Sequence, residues 1–174
     1  MVDMIHLALV TDSTRAVSLM TFGMHHDLSH HGKEPKKLAA CRRVEVELMQ
    51  AFGGLLGKLK NAKEGGSTLL DSTMVMMTSN LRDGNTHWTY NLPVILAGGG
   101  FRHGQHLAFN RPYLDEVNQE LTAAPGAKVS TKKKIPLMGQ DQQPLCNLYT
   151  SMLRQGGVEI DRFSTATGAL KGLV

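Results

Sequence analysis

The sequence predicts an α/β fold, with a largely parallel sheet flanked by helices. Three observations carry that expectation. "TMVMMTS" (73–79) and "LPVILAG" (92–98) are short apolar runs bounded by turn residues, which is how strands covered on both faces read. From Pro35 to about Ala62, apolar side chains recur every three or four residues, the period of an amphipathic helix. Strands separated by long helices favour a layered α/β arrangement. At 174 residues the chain is expected to form one domain, 1–174.

The elements follow in chain order. "VDMIHLALVT" (2–11) reads as a short helix with Ile5, Ala8 and Leu9 on one side and His6 flanking the core. "DSTR" (12–15) is a turn signal, and "AVSLMTF" (16–22) reads as a buried strand leading into a histidine cluster. The long helix places Leu38, Cys41, Val44, Leu48, Phe52, Leu55 and Leu59 on one stripe. Pro35 suits its first turn, and Gly65 and Gly66 are expected to end it. Gly53, Gly54 and Gly57 either weaken it or mark close contact with a neighbour. After 92–98, Gly98, Gly99 and Gly100 form a turn, and "QHLAF" (105–109) is expected to be a short fourth strand. "PLCNLYTSMLRQGG" reads as a helix with Leu145, Leu148, Tyr149, Met152 and Leu153 on its apolar side, capped by Gly156 and Gly157. Residues 111–143, rich in Lys and Gln, read as a surface insertion.

Composition narrows the class. The chain is 41% hydrophobic and 20% charged, with a formal net charge of +4, as expected for a globular domain. That charge is not gathered on an aromatic-studded face, so no nucleic-acid partner is expected. No apolar run approaches the length of a membrane span. No basic, apolar leader stands at the start. Cys41 and Cys146 lie far apart and read as buried reduced thiols.

The residues able to do chemistry collect after the expected strands, where ligands sit in α/β sheets. "MHHDLSHHG" (24–32) holds four of the eight histidines: His25, His26, His30 and His31. Imidazole is a good ligand for zinc and similar ions. His26 and His30 are four residues apart and face the same way if their segment forms a helical turn. His25 and His31 would point elsewhere, to a second ion, a substrate anion or a ligand-supporting position. Asp27 would orient an imidazole through its free nitrogen. From "SNLRDGNTHW", Asp83, Asn85 and His87 are candidates to complete the coordination, although Asp83-Gly84-Asn85 is first of all a turn. "AGGGFRHG" lacks the lysine and hydroxyl of a phosphate-binding loop and reads as a backbone turn, with His103 and His106 exposed.

"HDLSHH" (His26–His31) fits an HxxSHH pattern and resembles a bacterial family of uncharacterised proteins, common in planctomycetes, that carries this motif. "LALVTDSTRAVSLM", "EGGSTLLDSTMVMMTSNLRDGNTHWTYNLPVILAGGGFRHGQHLAF" and "PLCNLYTSMLRQGGVEIDRFSTATGALKGL" also look like that family, covering nearly everything except 111–143. The family is itself similar to the alkaline phosphatase and sulfatase superfamily. The resemblance implies a partial alkaline-phosphatase-like domain, with a metal site at the strand ends that acts on a phosphate or sulfate ester. It implies a divalent metal, zinc first, held by His26, His30 and His87, with Asp83 as a further ligand or supporting residue. His25, Asp27, His31, Asn80 and Asn85 would stand behind the ligands or face a substrate. Where the superfamily has an acidic residue in a metal-binding pair, this chain has Ser79-Asn80, so that carboxylate is missing. Residues 1–25 contain nothing similar to the nucleophile region. The chain therefore resembles the C-terminal part of a longer, exported (periplasmic) protein, whose missing N-terminal part or another chain would be a partner.

Three readings follow. The first is the metal-binding C-terminal portion of an alkaline-phosphatase/sulfatase-like hydrolase. The second is a non-catalytic metal-binding or interaction domain that kept the fold and lost the reaction. The third is structural only, with the histidines hydrogen-bonded to one another and to Asp27.

Overall fold

The computed structural model describes residues 1–21, 25–109 and 143–174. The expected insertion at 111–143 lies, except for Gln143, outside the described residues. The chain divides into two compact units, Met1–Gly98 and Gly99–Val174.

The first unit is organised on one long helix. Helices α1 (Val2–Val10), α2 (His25–Ser29), α3 (Pro35–Asn61) and α4 (Leu69–Ser72) belong to it, and α1, α2 and α4 all pack on α3. The expected stripe of α3 forms its inner face: Cys41 and Leu59 are buried, Val44, Leu48, Phe52 and Leu55 are half-buried, and Leu38 is exposed. Lys58 on α3 pairs with Asp3 on α1 at 2.9 Å. The turn at 12–15 is closed by a bidentate Arg15–Asp12 pair, both bonds 2.9 Å.

Gly53, Gly54 and Gly57 do not mark a close contact. A Cβ at any of them would meet nothing within 4 Å. Each therefore only weakens the helix, through backbone entropy. Changing each singly to Ala is expected to raise unfolding stability by about 0.5–1 kcal/mol, read as a shift in the urea midpoint. A loss of stability at any of the three would show that a neighbour does approach it.

Gly65 and Gly66 serve a different purpose from the one expected. α3 already ends at Ala62, whose backbone is extended. The two glycines form the turn between β1 (Lys63–Glu64) and β2 (Ser67–Thr68), with Gly65 at φ +58°. A positive φ at the first turn position matches the twist of a two-residue hairpin.

Thr68 then starts α4 with a capping box. Asp71 Oδ2 accepts from the Ser67 hydroxyl (2.6 Å), the Thr68 hydroxyl (2.7 Å) and the Thr68 N–H (2.9 Å). These bonds favour the carboxylate and lower the Asp71 pKa to about 2. The cap is therefore at full strength above the ordinary Asp value of roughly 4. It is lost as pH falls from there through about 2. An NMR titration of the Asp71 carboxyl is expected to show that low midpoint, and an ordinary midpoint would show that the cap does not form.

The expected parallel sheet is not what forms. Among the described residues there are two sheets, each of two antiparallel strands: β1–β2, and β3 (Met74–Thr78) with β4 (Val94–Gly98). In the second sheet the register runs from Met74 opposite Gly98 to Thr78 opposite Val94. The two apolar runs are strands, as expected, but the connection 79–93 contains no helix to carry the chain back across the sheet. Without that crossover the chain returns antiparallel. Residues 16–21 and 105–109 form no strand, and Val17, Leu19 and Met20 are exposed. An alkaline-phosphatase-like α/β architecture is thus not supported.

The second unit contains α5 (Leu145–Gln155). Its end matches expectation: Val158 N–H bonds Leu153 C=O (2.9 Å), Gly157 N–H bonds Arg154 C=O (3.0 Å), and Gly157 has φ +83°. That is a Schellman cap. Its buried residues include two polar ones, Asn147 and Thr150, beside Leu148. Asn147 accepts from Thr167 N–H at 2.8 Å, and Thr150 Oγ1 accepts from Phe163 N–H at 3.1 Å. These bonds tie the final loop to the helix and satisfy groups that burial would otherwise penalise. Both cysteines are free; Cys41 is buried and Cys146 half-buried. No helix among the described residues is long and apolar enough to cross a membrane.

Candidate metal-binding site

The site is built within the first unit from α2 and the loop after β3. His30 N–H bonds His26 C=O at 3.2 Å, continuing the α2 turn. His26 and His30 therefore share a face, with ring centroids 4.7 Å apart in an edge-to-face pose.

The loop 82–88 is closed from within. Arg82 N–H bonds Trp88 C=O (2.7 Å), and the Arg82 guanidinium lies 5.7 Å over the Trp88 ring. Asp83 Oδ1 accepts from Asn85 N–H (3.1 Å), and Oδ2 accepts from the Thr86 hydroxyl (2.6 Å). The loop is fastened to the α2 segment by Gly32 N–H donating to Asn85 Oδ1 at 2.8 Å. Gly84 lies against Ser29, where a Cβ would come within 2.6 Å of the Ser29 Cβ.

This closure delivers His87 to His30. The two Nε2 atoms are 3.0 Å apart and the rings nearly perpendicular, with centroids at 4.6 Å. His87 has φ +57°, a left-handed backbone that non-glycine residues seldom adopt. Two imidazoles bound to one tetrahedral zinc at roughly 2.0–2.1 Å put their nitrogens about 3.3 Å apart. The His30–His87 pair is close to that spacing. His26 adjoins His30 by its ring, but the donor nitrogens of His26, His30 and His87 do not all lie within 4.8 Å of one another.

The other expected residues have separate places. Asp83 and Asn85 hold the loop: both Asp83 oxygens accept bonds inside it, so its carboxylate positions His87. His31 Nδ1 accepts from Lys33 N–H at 2.9 Å. Asp27 is exposed on α2, and Asn80 is exposed beyond the end of β3. His25 turns to α3, where its Nε2 is 3.9 Å from Glu45 Oε1. Among the described residues, His25, Cys41 and Glu45 form the group of three whose donor atoms all lie within 4.8 Å of one another. Sequence reading missed Cys41 and Glu45 as candidates. Their spacing of four residues along a helix was the available signal. No protein-family model, curated protein or solved structure matches this chain.

Proposed function

We propose that this protein is a metal-binding module in which His30 and His87, flanked by His26, bind a divalent first-row ion, with zinc the best fit. One observation carries the reading: the 3.0 Å approach of two imidazole nitrogens from segments 57 residues apart. The chemistry of the donors supports it, since neutral imidazole is a good zinc ligand. So does the left-handed backbone at His87, a local cost of the kind that functional sites retain. The ester-hydrolase reading rests on the family resemblance alone.

The same contact is also a normal N–H···N hydrogen bond, which favours a second, purely structural reading. Calorimetric titration with zinc separates the two. In the metal reading, wild-type protein binds zinc, and His30→Ala and His87→Ala each weaken that binding by roughly tenfold or more. Undiminished binding in both variants overturns the assignment, and equal absence of binding in wild type and variants leaves the hydrogen-bond reading.

A further inference from the structure

We propose a second cation site, distinct from the His30–His87 pair in chemistry and in partners: His25, Cys41 and Glu45 together hold one thiophilic divalent ion. Cys41 and Glu45 are four residues apart on α3, so their side chains share a face. His25, the first residue of α2, meets them where α2 packs on α3. Cys41 Sγ is 3.6 Å from Glu45 Oε1, and His25 Nε2 is 3.9 Å from the same oxygen. A tetrahedral zinc with ordinary bond lengths puts sulfur and oxygen about 3.5 Å apart, and nitrogen and oxygen about 3.3 Å. These two pairs need only contract by a fraction of an ångström around the ion, and the sulfur and the imidazole lie within 4.8 Å of each other.

The donor set is chemically selective. Thiolate, imidazole and carboxylate together favour zinc over magnesium or calcium, which prefer all-oxygen sites. The Cys41 residue is buried, while the His25 and Glu45 side chains are 42% and 60% exposed. The site thus has a dry sulfur end and an open end, where water can serve as the fourth ligand. Burial, and then the neighbouring Glu45 carboxylate, raise the Cys41 pKa, so without metal the sulfur keeps its proton. A cation answers the same negative field. On binding, the S–H bond breaks, the proton leaves to solvent, and a sulfur–metal bond forms with no change of oxidation state.

The test is a Co²⁺ titration of the reduced full chain, followed in the near ultraviolet. Only a thiolate ligand produces the sulfur-to-cobalt charge-transfer band, so imidazole binding at His30 and His87 does not interfere. The band is expected to saturate at one thiolate-bound cobalt per chain, and Zn²⁺ to bleach it. Cys41→Ser abolishes it, whereas Cys146→Ser and His87→Ala leave it intact. His25→Ala and Glu45→Gln, both at partly exposed positions where folding is not at stake, weaken cobalt affinity by roughly tenfold or more. Absence of the band, its loss in Cys146→Ser or His87→Ala, or unchanged affinity in both His25→Ala and Glu45→Gln overturns the site. Failure of the His30–His87 assignment shows instead, in a Cys41→Ser background that lacks this site, as zinc binding unaltered by His30→Ala and His87→Ala, so the two proposals fail separately.

Discussion

Gly98→Ala is expected to destabilise the protein by about 3 kcal/mol or more, or to prevent folding altogether. Gly98 ends β4 opposite Met74, is buried, and has φ +71°. A Cβ there would stand 2.2 Å from the Thr73 carbonyl oxygen, 2.4 Å from that of Leu70 and 2.8 Å from Leu70 Cδ1. The leucine methyl can swing aside, but the two carbonyls cannot. They belong to α4 and its connection into β3, which the β3–β4 ladder holds in place. The left-handed backbone costs an alanine roughly 1–2 kcal/mol, and overpacking against fixed atoms costs about 1–3 kcal/mol. Native domains have only about 5–15 kcal/mol in total. Urea unfolding of the variant measures the loss, and a change under about 0.5 kcal/mol would show that α4 does not pack on the end of β4 as described.

Gly84→Ala is expected to damage the histidine pair without touching a histidine. Its Cβ would lie 2.6 Å from Ser29 Cβ and 2.7 Å from Ser29 Oγ. Ser29 is the last residue of α2, and its hydroxyl donates to His26 C=O at 2.8 Å. The hydroxyl could rotate, but the Cβ is fixed to the backbone, so the loop must move away from α2. That movement pulls on the Asn85–Gly32 bond and separates His87 from His30. Zinc affinity is expected to fall by roughly 10- to 100-fold, with about 1–3 kcal/mol of stability lost. Adding Ser29→Gly removes both clashing atoms and should restore most of the affinity, the coupling expected of residues in contact. Wild-type affinity in Gly84→Ala would mean that the loop is not seated on Ser29. Failure of the double variant to recover would place the defect elsewhere in the loop.

The candidate site was legible in the sequence to an uneven degree. The His26–His30 spacing announced a shared face, because four residues make about one helical turn. His87 entered only through its place after an apolar strand, and the structure brings it to His30 by a route the spacing does not contain. The Asp83-Gly84-Asn85 turn was legible, but not that both Asp83 oxygens would accept bonds inside it. Cys41 was read as a core thiol, and it is buried as that reading requires. Its meeting with Glu45 and His25 depends on how α2 crosses α3, about which the apolar stripe of α3 says nothing. Asn147 and Thr150 show the reverse case. They are polar and lie outside the apolar stripe, and bonds from Thr167 and Phe163 allow them inside.

The sequence by itself determined α1, α3, α5, β3 and β4, which follow from periodicity, turn residues and caps within a few neighbouring positions, but not 16–21 or 105–109, whose apolar runs form no strand. The tertiary structure alone decided that β3 and β4 pair antiparallel, and that His30 meets His87. An apolar run looks the same whichever way its partner runs, and an imidazole carries no periodic signature of its distant neighbour. Both outcomes depend on the path of the connection at 79–93, which has no helix to carry the chain across and whose own hydrogen bonds turn it back toward α2.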